Sequence, residues 1–208
     1  MEFLNILMKG GWMMIPILAC SLLALTVSIE RLMYFEKFRA SRLASKMLSL
    51  IEQEKFTDAL AVAEHQPSPV LRVISTGIHQ RANSPTKAME AAAILELTKM
   101  KRGLPALDTV ITLGPLLGLL GTIIGMIDSF GIMSQSGLGN PHAVTGGVAE
   151  ALICTAAGIF VAVTTLIPYN FLLSQVEQES EKIEFYATKT EAVLGERIPP
   201  TQRSDSSQ

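Results

Sequence analysis

Three stretches of this 208-residue chain carry no charged side chain, and each is long enough for a membrane-spanning helix. They cover residues 10–29, 109–127 and 151–176. A hydrocarbon core of about 30 Å needs about 20 helical residues, which these stretches provide and most buried helices of soluble proteins do not. Because apolar and charged residues are segregated along the chain, the pattern argues against a water-soluble globule.

The first stretch has a second interpretation, a signal peptide that is cleaved from the mature chain. Its apolar core is long, however, and it runs directly into Glu30 and Arg31 with no small-residue cleavage pattern. These features favour a retained membrane helix.

The chain has few of the sequence features that indicate catalysis or the binding of metals and nucleic acids. A formal charge of -2 offers no basic surplus for nucleic acid, and two cysteines cannot frame a disulfide-rich fold. The histidines, His65, His79 and His142, lie outside the spans, and the sequence contains no HExxH, no GxSxG and no cluster with metal-ligand spacing. We therefore predict a protein that is not an enzyme and that binds no metal, cofactor or nucleic acid.

The distribution of lysine and arginine predicts the orientation in the membrane. Of the 17 basic residues, most lie between residues 31 and 103 and four follow residue 174, whereas residues 128–142 contain none. Basic loops remain in the cytoplasm. The N-terminus and the 128–145 loop are therefore predicted to face the periplasm, and the middle segment and the C-terminus to face the cytoplasm of a bacterial inner membrane.

The fold class that follows is an all-α integral membrane protein with three transmembrane helices, two of them long and extending into a cytoplasmic helical bundle. Ser84 as N-cap and Pro85 as first helical residue predict a helical run that continues to about Met133, and Gly195 is a predicted C-cap. The predicted segments are a periplasmic N-terminus (1–9), the first span (10–29), a cytoplasmic helical region (30–103), the second span (104–127), a periplasmic loop (128–145), the third span (146–173), a cytoplasmic helix (174–195) and a disordered tail (196–208).

Glu150 is the most informative polar residue, because it lies inside the third span. A carboxylate in hydrocarbon costs several kcal/mol unless it faces protein or water, so Glu150 is a candidate functional residue. The alternative is a structural hydrogen bond to a neighbouring helix. Two stripes share this helix: one of Glu150, Cys154, Ala157, Val161, Thr164 and Pro168, and one of the small residues Gly147, Ala151, Thr155, Gly158, Ala162 and Thr165.

The second span repeats this arrangement of small and polar residues. Small residues permit close helix approach in membranes, while a threonine there commonly bonds a carbonyl one turn back, which is the structural alternative for each hydroxyl. For Asp108 the alternative is contact with water or with nearby basic residues. One face holds Asp108, Thr112, Pro115, Gly118, Thr122 and Ser129, beside a seam of Gly114, Gly118, Gly121 and Gly125.

Two segments carry a family resemblance. LGPLLGLLGTIIGMIDSF (113–130) and GGVAEALICTAAGIFVAVTTLIPYNFL (146–172), with IERL (29–32) closing the first span, resemble the MotA/TolQ/ExbB proton-channel family and most closely its ExbB/TolQ branch. The resemblance covers the three spans in order, and the paired motifs GLLGT and GxAEALxxTAxG are specific to it.

The resemblance implies that Thr122, Glu150 and Thr155 line or border the lumen of a proton path. Asp108, Thr112 and Thr164 are further polar candidates, whose roles the motifs do not define. The residues expected to pack the helices together are Gly114, Pro115, Gly118, Gly121, Gly125, Gly147 and Gly158.

In this family, five subunits form a ring around two single-span partners of the ExbD/TolR type, which contribute a proton-binding aspartate. The resemblance therefore predicts a homo-oligomer, a pentamer in relatives, that drives TonB-dependent outer-membrane transport through a TonB-like protein in a lipid membrane. Two alternatives stay open: a TolQ-like motor for envelope constriction, and a structural scaffold that conducts no protons. A MotA-type stator fits less well, because stators have four spans.

Overall fold

The computed structural model describes residues 11–36, 41–64, 66, 68–136 and 141–195. These ranges are helical and contain no strand, which confirms the all-α prediction. Predictions for residues 1–9, for His65, for part of the 128–145 loop and for the 196–208 tail lie outside the described residues. The helices are α1 (Met14–Glu36), α2 (Ser41–Glu52), α3 (Phe56–Ala63), α4 (Pro69–His79), α5 (Pro85–Lys101), α6 (Leu104–Ser136) and α7 (Pro141–Gly195).

Three helical runs are long and apolar enough to cross a membrane, as the three uncharged stretches predicted. The first is α1, which continues past the charged pair at Glu30 and Arg31 to Glu36. The third belongs to α7, a single helix of 55 residues. At 1.5 Å per residue α7 is about 80 Å long, so it extends well beyond a hydrocarbon core of about 30 Å.

The helical run predicted from Ser84 to about Met133 is interrupted by a turn at Arg102 and Gly103, between α5 and α6. Gly103 has a φ of +87°, a left-handed conformation that glycine adopts without a steric cost. Val27 and Arg31 of α1 lie directly against it. Ser84 does occupy the N-cap position of α5, but its side chain makes no capping hydrogen bond.

The described residues divide into two compact units. Unit 1 contains residues 11–31 and 103–172, and unit 2 contains residues 32–102 and 173–195. In unit 1, one face of α1 is buried, and Met14, Ile17 and Ala24 lie on it. Large apolar side chains remain exposed on α1, α6 and α7, which is the surface expected of helices surrounded by lipid.

Unit 2 has a conventional apolar core. Met47 and Ile51 of α2, Ile74 of α4, Met100 of α5 and Ile183 of α7 are all buried there. Its helices are also joined by polar contacts, because Tyr186 shares a hydrogen bond of 2.7 Å with Ser45, and Thr86 donates one of 2.9 Å to Glu191.

A carboxylate of α5 is buried inside unit 2. Glu96 of α5 lies 3.0 Å from the Arg72 guanidinium of α4 and 2.8 Å from the Lys99 ammonium. A buried charge needs such partners to offset its loss of hydration. The contact therefore favours one alignment of α4 with α5.

Candidate functional site

Helices α6 and α7 run antiparallel and approach each other as closely as backbone atoms allow. A Cβ atom added at Gly118 would lie 2.9 Å from the Cα of Thr155, and one at Gly114 would lie 2.8 Å from the carbonyl oxygen of Gly158. Gly158 in turn lies against the Gly114 carbonyl. Because a real Cβ rarely comes within 3.0 Å of another heavy atom, these positions require glycine at this helix separation.

The same contact continues towards the C-terminal end of α6. Gly121 lies against the Cys154 side chain, and a Cβ at Gly125 would lie 2.9 Å from that of Ala151. Gly147 lies against the hydroxyl of Ser129, which is itself 1% exposed and donates a hydrogen bond of 2.7 Å to the Gly125 carbonyl. The helix contact therefore extends over about four turns of each helix.

Thr155 makes a hydrogen bond across this contact. Its hydroxyl donates to the carbonyl oxygen of Gly118 at 2.9 Å. Thr122 donates to the carbonyl of Leu119 on its own helix at 2.6 Å. Because Gly118 and Leu119 are consecutive residues, the structure places both hydroxyls at one turn of α6.

Glu150 lies on a different side of α7 from Thr155. Five residues separate them, which corresponds to about 140° around the helix and about 7.5 Å along it. Glu150 is exposed, and its carboxyl group lies against Gly11, just before α1. Within one chain, Thr122 and Thr155 are therefore at the same turn of α6, whereas Glu150 is next to the start of α1.

The other predicted polar residues are on the exposed surface. Thr112 donates to the carbonyl of Asp108 at 3.1 Å, and Thr164 donates to that of Phe160 at 2.8 Å. Both are bonds to a carbonyl one turn back, the structural alternative for a membrane threonine. Asp108 is exposed. Pro115 is half-buried inside α6, where it lacks the N–H group that an ordinary residue donates to the helix.

Three residues in this region were absent from the predicted site residues. Ser129 continues the four-residue spacing of Gly121 and Gly125, so the sequence contained a signal for it. Cys154 is buried against Gly121, as expected of a small packing residue. Gly11 carries no such signal, because its contact with Glu150 joins residues that are distant in the sequence.

Known proteins identify the family of the chain. Residues 48–185 match the MotA/TolQ/ExbB proton channel family, which is more than half of the sequence. The chain belongs to this family. The resemblance of the span motifs is thereby confirmed.

Relatives carry both ExbB and TolQ names. The chain is 35% identical to the ExbB-like 3 protein of Synechocystis over 174 residues, which are 80% of this chain and 83% of that protein. It is 31% identical to the biopolymer transport protein ExbB of Xanthomonas campestris over 159 residues, 64% of this chain and 63% of the relative. It is 33% identical to the Tol-Pal system protein TolQ of Pseudomonas aeruginosa over 112 residues, 54% of this chain and 48% of the relative.

Among the described residues, no group of three or more histidine, cysteine, aspartate or glutamate side chains is arranged to hold a metal ion. The polar chemistry of unit 1 is instead that of hydroxyls and single carboxylates on apolar helices. Such groups can form hydrogen bonds with a partner or with water, because a hydroxyl both donates and accepts a hydrogen bond.

Proposed function

We propose that this chain is the ring-forming subunit of a motor in a bacterial inner membrane that is driven by the proton-motive force. With a single-span partner of the ExbD/TolR type, it would couple proton flow to TonB-dependent outer-membrane transport and would catalyse no covalent reaction. Family membership supports the motor, and the ExbB-like relative that matches 80% of the chain supports this branch.

The observation that carries the proposal is the exposure of Glu150 on a membrane-length helix. The same helix also exposes Leu152, Ile159 and Phe160 on its other faces, and their surface suits lipid. A carboxylate among such residues costs about 2.5 to 3.5 kcal/mol or more if it faces acyl chains. Further copies of the chain, or the partner, would shield the carboxylate from lipid, which would remove this cost and enclose a proton path.

The proposed mechanism uses a small energy for each proton. One elementary charge that crosses a potential of 100 mV releases about 2.3 kcal/mol, which can shift packed helices but cannot drive difficult covalent chemistry. Thr122, Thr155 and Glu150 would supply hydrogen-bonding groups beside the partner's acid. The glycine contact between α6 and α7 would keep each subunit rigid, so that the shift occurs between subunits and partner.

The TolQ-like role is the second candidate, because TolQ of Pseudomonas aeruginosa is 33% identical over its matched region. The neighbouring reading frames distinguish the two roles. A single-span protein with a membrane aspartate, followed by a TonB-like protein, supports the ExbB-like role. A gene set without a TonB-like protein contradicts it.

The proposal is tested by reconstituting the chain with its single-span partner in liposomes and measuring proton influx under an imposed potential. We expect Glu150→Gln to reduce the influx by about a hundredfold, within the range seen when a proton-transferring group is removed. Thr109→Val is the matched control, because that exposed hydroxyl bonds the Pro105 carbonyl of its own helix. Native mass measurement checks the assembly. Unchanged influx in Glu150→Gln with intact assembly would remove Glu150 from the proton path, and an intact wild-type assembly without influx would favour the scaffold alternative.

A further inference from the structure

We propose that Gly11 is a positioning residue for Glu150, and that the space beside Gly11, just before α1, is the resting position of the Glu150 carboxyl group. The role of Glu150 in proton flow rests on the proposed function. The position of its carboxyl group at Gly11 does not, and it can be tested separately.

A side chain at residue 11 would occupy the space that the Glu150 carboxyl group takes. A Cβ atom there would collide with the Glu150 carboxyl oxygen Oε1 and would lie 3.1 Å from its carboxyl carbon and 3.6 Å from its Cγ. Gly11 also has a φ of +68°, which favours glycine over other residues. The absence of a side chain thus creates the space that the carboxyl group occupies.

The backbone of residue 11 is held in place by its surroundings. The Met14 N–H donates to the Gly11 carbonyl at 3.1 Å, and Met13, Met14 and Ile17 are buried. A Cβ at Gly121 of α6 would lie 3.6 Å from that of Met13, so the start of α1 also contacts α6. Gly11 therefore cannot move aside without disturbing these contacts, and a substitution there would displace the Glu150 side chain instead.

The start of a helix is also a favourable place for a carboxylate. The helix dipole places partial positive charge at that end, which attracts a carboxylate. This attraction favours the carboxyl group at Gly11 until a hydrogen-bond donor from another chain approaches. The start of α1 would then border the proton path.

The experiment uses the full chain with its partner in native-like membranes and in liposomes. One measurement is the rate at which a carbodiimide modifies residue 150, followed by mass spectrometry, and the other is proton influx. We expect Gly11→Ala to raise the modification rate and to lower the proton influx, each by about tenfold, because the coupling between contacting residues is commonly of this size. Glu150→Asp shortens the side chain by one methylene and so withdraws the carboxyl group from residue 11. The double variant with Gly11→Ala and Glu150→Asp should therefore show the same proton influx as Glu150→Asp alone, within about twofold.

Gly146→Ala is the matched control, because no heavy atom lies within 4 Å of a Cβ at this α7 position. It should change neither measurement. An unchanged modification rate in Gly11→Ala would overturn the inference. So would a double variant whose proton influx is lowered by the two single effects multiplied together, because that result would be expected if Gly11→Ala acted through backbone strain alone. A wild-type complex without proton influx, whose modification rate still responds to Gly11→Ala, would instead refute the proposed function and leave the positioning intact.

Discussion

Threonines of the membrane-length helices differ in what their hydroxyls bond. Thr112, Thr122, Thr164 and Thr165 each donate to a carbonyl of their own helix. Thr155 instead donates to Gly118 on the neighbouring helix. A bond within a helix forms whether or not the helices associate, so only Thr155 of these five threonines makes a hydrogen bond between helices.

We predict that Thr155→Val lowers the free energy of unfolding by about 1 kcal/mol, because it removes a hydrogen bond between helices with little change in shape. The midpoint of thermal unfolding in a mild detergent measures the effect. Thr165→Val is the control, since the buried Thr165 hydroxyl bonds the Val161 carbonyl one turn back. Equal loss in both variants would contradict a special role for the bond to Gly118.

Among the helices, the pair α6 and α7 depends most directly on glycine. In lipid, apolar side chains gain little from leaving their surroundings, so helices associate through close contact of small residues. The contacts from Gly114 to Ser129 on α6 meet those from Gly158 to Gly147 on α7. This antiparallel contact places the Thr122 and Thr155 hydroxyls at the same turn.

At this scale we predict that Gly118→Ala destabilises the pair by about 1 to 3 kcal/mol, the usual cost of overpacking. Its Cβ would lie 2.9 Å from a backbone atom of Thr155, which cannot rotate away as a side chain could. Thermal unfolding of the purified variant measures the loss. Gly131→Ala on the same helix has open space around it and should be neutral or slightly stabilising. A neutral Gly118→Ala would show that the helices separate readily.

The whole molecule carries an asymmetric distribution of charge over apolar helices. Basic residues are concentrated between residues 31 and 103, and residues 128–142 have none. Exposed leucine, isoleucine and phenylalanine cover the helices of unit 1. Together these features predict one orientation across the membrane, with the C-terminal end of α6 outside the cytoplasm.

Cysteine labelling of intact cells tests this orientation. In a background where Cys20 and Cys154 are replaced by alanine, we expect Ser134→Cys to react with a membrane-impermeant maleimide. Lys189→Cys should react only after the cells are permeabilised, because the charge distribution places it in the cytoplasm. Both positions are exposed, so burial does not confound the comparison. The reverse pattern would contradict the predicted orientation.

The sequence alone determined the number and approximate position of the membrane-length helices, because bilayer thickness requires a long uncharged stretch wherever a helix crosses. It also determined the family, because each of the motifs GLLGT and AEAL is a continuous run of residues that can be read from the sequence. The interruption at Gly103 had a local signal, a glycine two residues before Pro105, whereas the packing of its left-handed backbone against Val27 and Arg31 did not.

Tertiary structure alone decided which polar groups meet. Thr122 and Thr155 are equivalent as motif residues, yet only the antiparallel register of α6 and α7 gives the interhelical bond to Thr155. The contact of Glu150 with Gly11 joins positions 139 residues apart. The periodicity of the sequence shows which face of its own helix a residue occupies. Which residue of another helix contacts that face depends on how the helices dock.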